Sequence, residues 1–285
     1  MPELITHTMK SAPKITLNAD IFSIDQIPAA MDNMGWKVAP QLMRHWFSGK
    51  PAKGFNEMEK KAYMTGPAIN IPSQHVNDSI VKMEWALRYK PVQKGFVKLK
   101  ADWASEKGKI ELRKQLVKNN GILRHYRDVR EIDTLTVVNS TKIGDYLWGL
   151  GETINDYFGA IGKGNLKVAP QGYQDKFQGK DVFITEAIGF YIKDSYDFLG
   201  NEFLGIWNKK GILSKKQALQ YMNAYDLKKW KFLYDMGMQW TVPVYNKDFR
   251  EWQRIRNTGI DFIVFSDVLW IPPLSDDKII ELLNK

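Results

Sequence analysis

The sequence predicts an α+β protein, helix-rich in its N-terminal half, with a mixed or antiparallel sheet in its C-terminal half. Three observations support this. Helix signals such as "IPAAMDNMGW" and "APQLMRHWF" gather early in the chain, and β-prone runs such as "NLKVA", "DVFITEAIGFYIK" and "IDFIVFSDV" gather late. The 44% hydrophobic and 13% aromatic content is that of a chain with a packed core, which excludes global disorder.

The elements follow in order. Residues 1–19 are polar and aperiodic and are expected to form a loose arm. Residues 20–285 are expected to form one α+β domain, with 20–130 as a candidate helical subdomain. Pro28 and Pro40 stand near the starts of the first two helices, where a missing N–H costs nothing. Met31, Met34, Leu42, Met43, Trp46 and Phe47 supply their buried faces. "VKMEWALRY" (81–89) alternates apolar and polar residues, which predicts a half-buried strand. In 105–121 a helix is capped by Ser105 and closed by Gly121. "TLTVV" (134–138) is β-prone. Apolar residues at three- and four-residue steps predict a helix over 140–162, weakened by its glycines at ~1 kcal/mol each.

Further on, Ser214 caps a predicted helix "KKQALQYMNAY", and "MQWTVPVY" (238–245) reads as a strand. "KDFREWQRIR" (247–256) reads as a helix. Ser275 is placed to cap a last helix, "DDKIIELLNK". The chain shows no internal repeat and no long linker.

Forty-one basic residues against 32 acidic ones give a net charge of +9. That excess predicts an anionic partner or substrate, such as nucleic acid, anionic head groups or a phosphorylated precursor; a solvated lysine face would give the same count. Cysteine is absent, which excludes disulfides, thiolate catalysis and cysteine-based metal sites. The four histidines (His7, His45, His75, His125) have no metal-binding spacing. No run reaches the ~18 apolar residues of a membrane span, and the first 22 residues lack the pattern of a secretory signal. Export, if it occurs, is expected to depend on other machinery.

Two polar clusters stand out. In strand register Ile188, Phe190, Ile192, Asp194 and Tyr196 share one face, so an apolar ribbon turns acidic where it ends. Asp197 follows, and Gly200 and Gly205 permit a turn that could return it toward Asp194. Paired carboxylates beside aromatics can divide acid and base roles or hold a divalent cation. Alternatively, one of them caps the turn's amides while the aromatics pack the core. The second cluster places Arg250 and Arg254 on one helical face, near Asp261 and Asp267 at the two ends of a strand. These arginines can clamp an anion, or they can form an Arg–Asp network that holds helix to sheet. A stretch with Lys209, Lys210, Lys215, Lys216, Lys228, Lys229 and Lys231, interleaved with Trp207 and Trp230, suits nucleic acid or an ordinary solvated helix face.

"IGFYIKDSYDFLGNEFLGIWN", "VYNKDFREWQRIRNTGIDFIVFSDV" and "IPAAMDNMGWKVAPQLMRHWF" together resemble a family of bacterial proteins known only as a domain of unknown function and often found near type VI secretion genes. The likeness covers most of the chain. It implies an antibacterial effector delivered by contact into the periplasm or cytoplasm of a target cell, stored in the producer's cytoplasm. It further implies a cognate immunity protein and a secretion spike or adaptor as partners. Asp194-Ser195-Tyr196-Asp197 is also similar to the Asp-x-Tyr-Asp part of colicin M-type bacteriocins, which cleave lipid II at its phosphate linkage. Their pattern continues to a His-Arg pair, where this chain reads "NEFLGIW". The likeness implies catalytic roles for Asp194, Tyr196 and Asp197. In the envelope-hydrolase reading Asp194 and Asp197 bind a metal or act as acid and base while Arg250 or Arg254 clamps phosphate. The readings carried forward are an envelope hydrolase, a nucleic-acid-targeting toxin and a non-enzymatic interaction or membrane-perturbing protein.

Overall fold

A computed structural model describes residues 22–144, 154–214, 216–218 and 241–282. Its spine is a hairpin of two long antiparallel strands, β4 (Gly164–Phe177) and β5 (Lys180–Tyr196). Gln178 and Gly179 connect them, both at positive φ (50° and 79°), the backbone of a two-residue turn whose twist matches the flanking strands.

The outer edge of β5 is used three times. Strand β9 (Phe262–Ser266) pairs with its residues 193–196, β10 (Leu269–Ile271) with 188–190, and β11 (Ile279–Glu281) with 182–184, all antiparallel. Strand β1 (Val76–Val81) extends the sheet parallel to β9. The other edge, on β4, carries β3 (Asn139–Ile143) and β2 (Ile122–Leu123). The sheet is therefore mixed, and the architecture is α+β with its helices concentrated in the N-terminal half.

Both faces of β5 are covered over 188–193. On one side Ile188, Phe190 and Ile192 join a core with the helical residues Ile27, Met31, Leu42, Trp46 and Leu112. On the other, Tyr191 packs with Ala169, Ile263, Phe265, Phe55 and Ile132. Burial on both faces explains why this stretch reads as a continuous apolar run.

The N-terminal helices are α1 (Ile27–Asn33), α2 (Ala39–Ser48) and α3 (Glu57–Thr65). They are followed by α4 (Met83–Ala86), α5 (Lys90–Asp102), α6 (Glu106–Lys118), α7 (Val129–Leu135) and α8 (Asp156–Ala160). Ser105 caps α6 as expected, accepting from Gly108 N. Helix α2 is capped from a distance. The Asp156 carboxylate accepts from the amides of Lys37 (2.9 Å), Val38 (3.0 Å) and Ala39 (2.8 Å), and from the Trp85 indole (3.2 Å). An anion thus satisfies orphan donors at the positive end of the helix.

A three-stranded sheet, β7–β6–β8, is built from β6 (Phe203–Asn208), β7 (Gly211–Ile212) and β8 (Val242–Tyr245). It leads into α9 (Asn246–Arg256). Among the described residues no helix is long and apolar enough to cross a membrane.

Four local expectations are corrected. Residues 81–89 are not a strand: β1 stops at Val81 and α4 begins at Met83, whose amide donates to Asp267 Oδ1 at 2.6 Å. Met83 and Ala86 are buried at a helical step, a pattern that nine residues cannot separate from alternation. "TLTVV" straddles a boundary. Helix α7 runs to Leu135, and the Thr134 and Thr136 hydroxyls bond back to the carbonyls of Arg130 and Ile132. The predicted helix over 140–162 is instead strand β3 at its start and α8 near its end, with 145–153 outside the described residues. The last segment forms one 3-10 turn (Ser275–Asp277) and then β11, where Ile280 is buried and Ile279 and Glu281 exposed, with Leu282 buried just after it. Of the other elements, most of "KKQALQYMNAY" and residues 238–240 of the 238–245 strand, like the N-terminal arm, lie outside the described residues.

Asp261, fully buried, ties these parts together. Its carboxylate accepts from Trp46 Nε1 (2.8 Å), Phe55 N (2.8 Å), Arg250 Nη1 (3.1 Å) and Arg250 Nη2 (2.6 Å). Burial pushes its pKa up, against the opposing pull of Arg250, Trp46 and the Phe55 amide. Removing one partner of such a pair strands the other, a loss of about 3–5 kcal/mol. Arg250→Met is therefore expected to lower the denaturation midpoint by that equivalent, and Asp261→Asn in the same chain to recover part of it. Additive losses in the double variant would contradict the pairing.

Candidate active site

A cavity of about 710 Å³ opens where the spine ends. Ile27 and Met31 line it from α1, Trp36 from the α1–α2 connection, Met43 from α2, Phe158 to Lys163 from α8 and its exit, and Phe203, Leu204 and Trp207 from β6. Asp194 to Leu199 form one wall, Lys60 and Met64 reach in from α3, and Asn246 and Phe249 contribute from α9. Trp36 and Trp207 meet edge to face, 6.3 Å between ring centroids. The volume lies within the range of about 300–1,000 Å³ usual for small-molecule sites.

The structure brings Asp194, Tyr196 and Asp197 to this one wall. Asp194 as a residue is half-buried and lines the cavity, and its carboxyl is enclosed by protein. It meets the Ser195 backbone, the neighbouring charge of Asp197 and the more distant charge of Lys60. Desolvation pushes its pKa well above the usual carboxylate range, with Asp197 adding to the rise. Gly164 packs beside it: a Cβ there would make ordinary contact with the Asp194 carboxyl carbon at 3.6 Å but would crowd Ile161 at 2.9 Å. Tyr196 stacks on Phe262 at 5.1 Å, and burial holds its phenol neutral.

Asp197 has a different environment. Its Oδ2 accepts from Ser195 Oγ (2.6 Å) and Lys60 Nζ (2.8 Å), and its Oδ1 accepts from Leu199 N (3.1 Å). The side chain is 3% exposed. The Leu199 bond is the turn-capping contact anticipated as the alternative to a catalytic role. Lys60 is pulled down by desolvation, but Asp197, Asp194 and Glu57 outweigh this and raise its pKa. Burial therefore favours the neutral form of one carboxyl, and the other is held in an ion pair.

The arginines are placed elsewhere, and neither is among the cavity-lining residues. Arg250 spends its guanidinium on Asp261, Gln253 and the Phe198 carbonyl, the helix-to-sheet network. Arg254 is exposed and paired with Glu251. As for a metal, Asp194 and Asp197 offer two carboxylates, and among the described residues no group of three or more histidine or acidic side chains converges. Of the lysine-rich stretch, Lys215, Lys228, Lys229, Lys231 and Trp230 lie outside the described residues.

Sequence reasoning missed Lys60, Asn246 and a second ionic cluster. Lys60 sits in a polar helix with nothing to single it out. In the second cluster Asp133 accepts from Tyr191 Oη (2.6 Å), Lys193 Nζ (2.8 Å) and Lys167. Burial raises the Asp133 pKa, but the two lysines outweigh it and hold it below its ordinary value, while burial lowers that of Lys193. This cluster lies on the opposite face of β5, away from the cavity-lining residues, and serves as a buried clamp between α7 and the sheet. Lys193 in "FYIKDSY" was the available signal, a lysine inside an apolar strand.

A carboxyl whose folded pKa exceeds its unfolded value stabilises fully below the unfolded value, and the contribution fades as pH rises through the folded one. Asp194→Asn removes that dependence. The variant is expected to gain stability relative to the parent as pH rises from 4 to 8, measured by urea denaturation. A difference that stays flat or reverses would mean that Asp194 is ionised in the fold.

No curated protein and no solved structure gives a significant match to this chain. Residues 22–280 match the family described as "Family of unknown function (DUF6402)", and the chain belongs to that family.

Proposed function

We propose that this chain is an antibacterial effector delivered by a contact-dependent, type VI-like system, and that its cavity hydrolyses a component of the target cell envelope. The observation that carries the reading is the pair of carboxyls of opposite electrostatic standing on one cavity wall. Enzymes that split acid and base work between two carboxyls need this separation. In the proposed step Asp194 gives its proton to the leaving oxygen. Asp197 receives a proton from the attacking water through the lone pair that its Oδ1 retains beside Leu199 N. Water is thereby added across the cleaved bond. The Asp-x-Tyr-Asp likeness to colicin M-type bacteriocins supports the placement, without the His-Arg pair of that pattern. The arginines' engagement elsewhere shifts weight from a phosphate clamp to the carboxyls. A cognate immunity protein and a secretion spike or adaptor are the partners this reading requires.

A second reading is a non-enzymatic binding cavity. It is favoured by the capture of Asp197 in a turn and an ion pair, a role that folding alone explains.

Expression directed to the periplasm or the cytoplasm of a test bacterium separates these readings. Killing is expected only in the periplasm. Asp194→Asn is expected to reduce it at least 100-fold while the melting temperature does not fall. Asp197→Ala is expected to lose killing and also stability, because it strands Lys60 and opens the turn. Full killing by Asp194→Asn would leave the binding reading, and killing confined to the cytoplasm would favour a nucleic-acid target.

A further inference from the structure

We infer that the cavity selects an amphipathic ligand with a long apolar body and an uncharged head that donates a hydrogen bond, and that Asn246 is the residue that reads the head. This names a substrate class for the reading above and rests on the cavity being the working site.

The first observation is an orphan acceptor. Asn246 lines the cavity and is 4% exposed, and its Oδ1 is buried without a hydrogen-bond partner. The amide orientation follows from the bond that Nδ2 donates to the Leu199 carbonyl at 2.5 Å, which leaves Oδ1 as the unmet atom. A buried acceptor left unmet is unfavourable by an amount comparable to a lost hydrogen bond, and a ligand N–H or O–H would recover it.

The second observation is charge balance at the polar end. Asp197 is neutralised by Lys60, and burial favours the protonated Asp194. The other charged lining residues, Glu202 and Lys163, are exposed and of opposite sign. A charged head would enter a desolvated region without a counter-ion, which is strongly unfavourable. A neutral donor avoids this. The third observation is the remaining wall, where Met31, Trp36, Met43, Phe158 and Trp207 offer a surface for an alkyl or polyprenyl-like body.

The test compares ligands of one chain length and different heads on the unaltered protein: 1-decanol, decyl methyl ether, decanoate and decylammonium. Affinities come from calorimetry, and the indole N–H resonances of Trp36 and Trp207 report occupancy of the cavity. Decanol is expected to bind about tenfold more tightly than the ether, which lacks the donor, and more tightly than either charged analogue. In Asn246→Ala the preference for decanol over the ether is expected to fall to within twofold. Failure of decanol to bind, equal affinity for the ether, or tighter binding of a charged head would overturn the inference. So would an unchanged preference in Asn246→Ala. Should that variant not fold, the head-group comparison on the parent chain decides alone. Binding is read without turnover or killing, so its failure leaves the Asp194 result standing, and failure of the killing assay leaves the binding result standing.

Discussion

The buried Asp261 carboxylate is the constraint on which the rest of the molecule depends. A charge removed from water is tolerated only when its oxygens are fully met, and here the donors come from α2, from the segment before α3 and from α9. Of these, α2 and α9 also line the cavity, and the segment before α3 leads directly into the helix that carries Lys60 and Met64 to it. Arg250, while paired to Asp261, also holds the Phe198 carbonyl, one residue beyond Asp197. Phe198 and Phe249 stack beside it at 3.7 Å, with Trp46 edge-on to both. The positions of the acidic wall and of α9 are therefore set by one ion and its aromatic packing.

This arrangement gives the two faces of β5 different tasks. One face ends in the cavity with Asp194 and Tyr196. The other carries Lys193 to Asp133 in a cluster whose polar atoms satisfy one another. A fully satisfied network rigidifies the sheet, whereas the cavity retains the unmet Asn246 Oδ1 and a carboxyl whose pKa burial pushes up. Polar groups that folding leaves unsatisfied are the ones available for chemistry or recognition.

Much of this architecture could be read from the residues. Apolar runs located β5 and β9, "NLKVA" located the first part of β4, and the capped or proline-led segments located α1, α2 and α6, because each signal is local. The same was true of the acidic strand end at Asp194, which follows from period-two arithmetic. What could not be read depends on partners distant in sequence. Residues 81–89 satisfy both periods, and the Asp267 contact to Met83 coincides with the strand's end. The "DDKIIELLNK" stretch looks helical until β5 offers it an edge. Lys60 reaches Asp197 from 137 positions earlier in the chain, and Asp156 caps a helix more than a hundred residues before it. The turn at Asp197 was anticipated as one of two outcomes, but nothing in its neighbourhood announced the lysine.

The triple use of the β5 edge has a consequence for biosynthesis. The hairpin is complete once residue 196 has left the ribosome, but the strands that cover its outer edge lie between Phe262 and Glu281. Until they arrive, a row of unpaired amides and carbonyls along a greasy strand stays open to any passing chain, the condition that favours intermolecular sheet formation. A nascent protein of this topology therefore has a window in which chaperone capture competes with self-association, and that window closes only when the late strands dock.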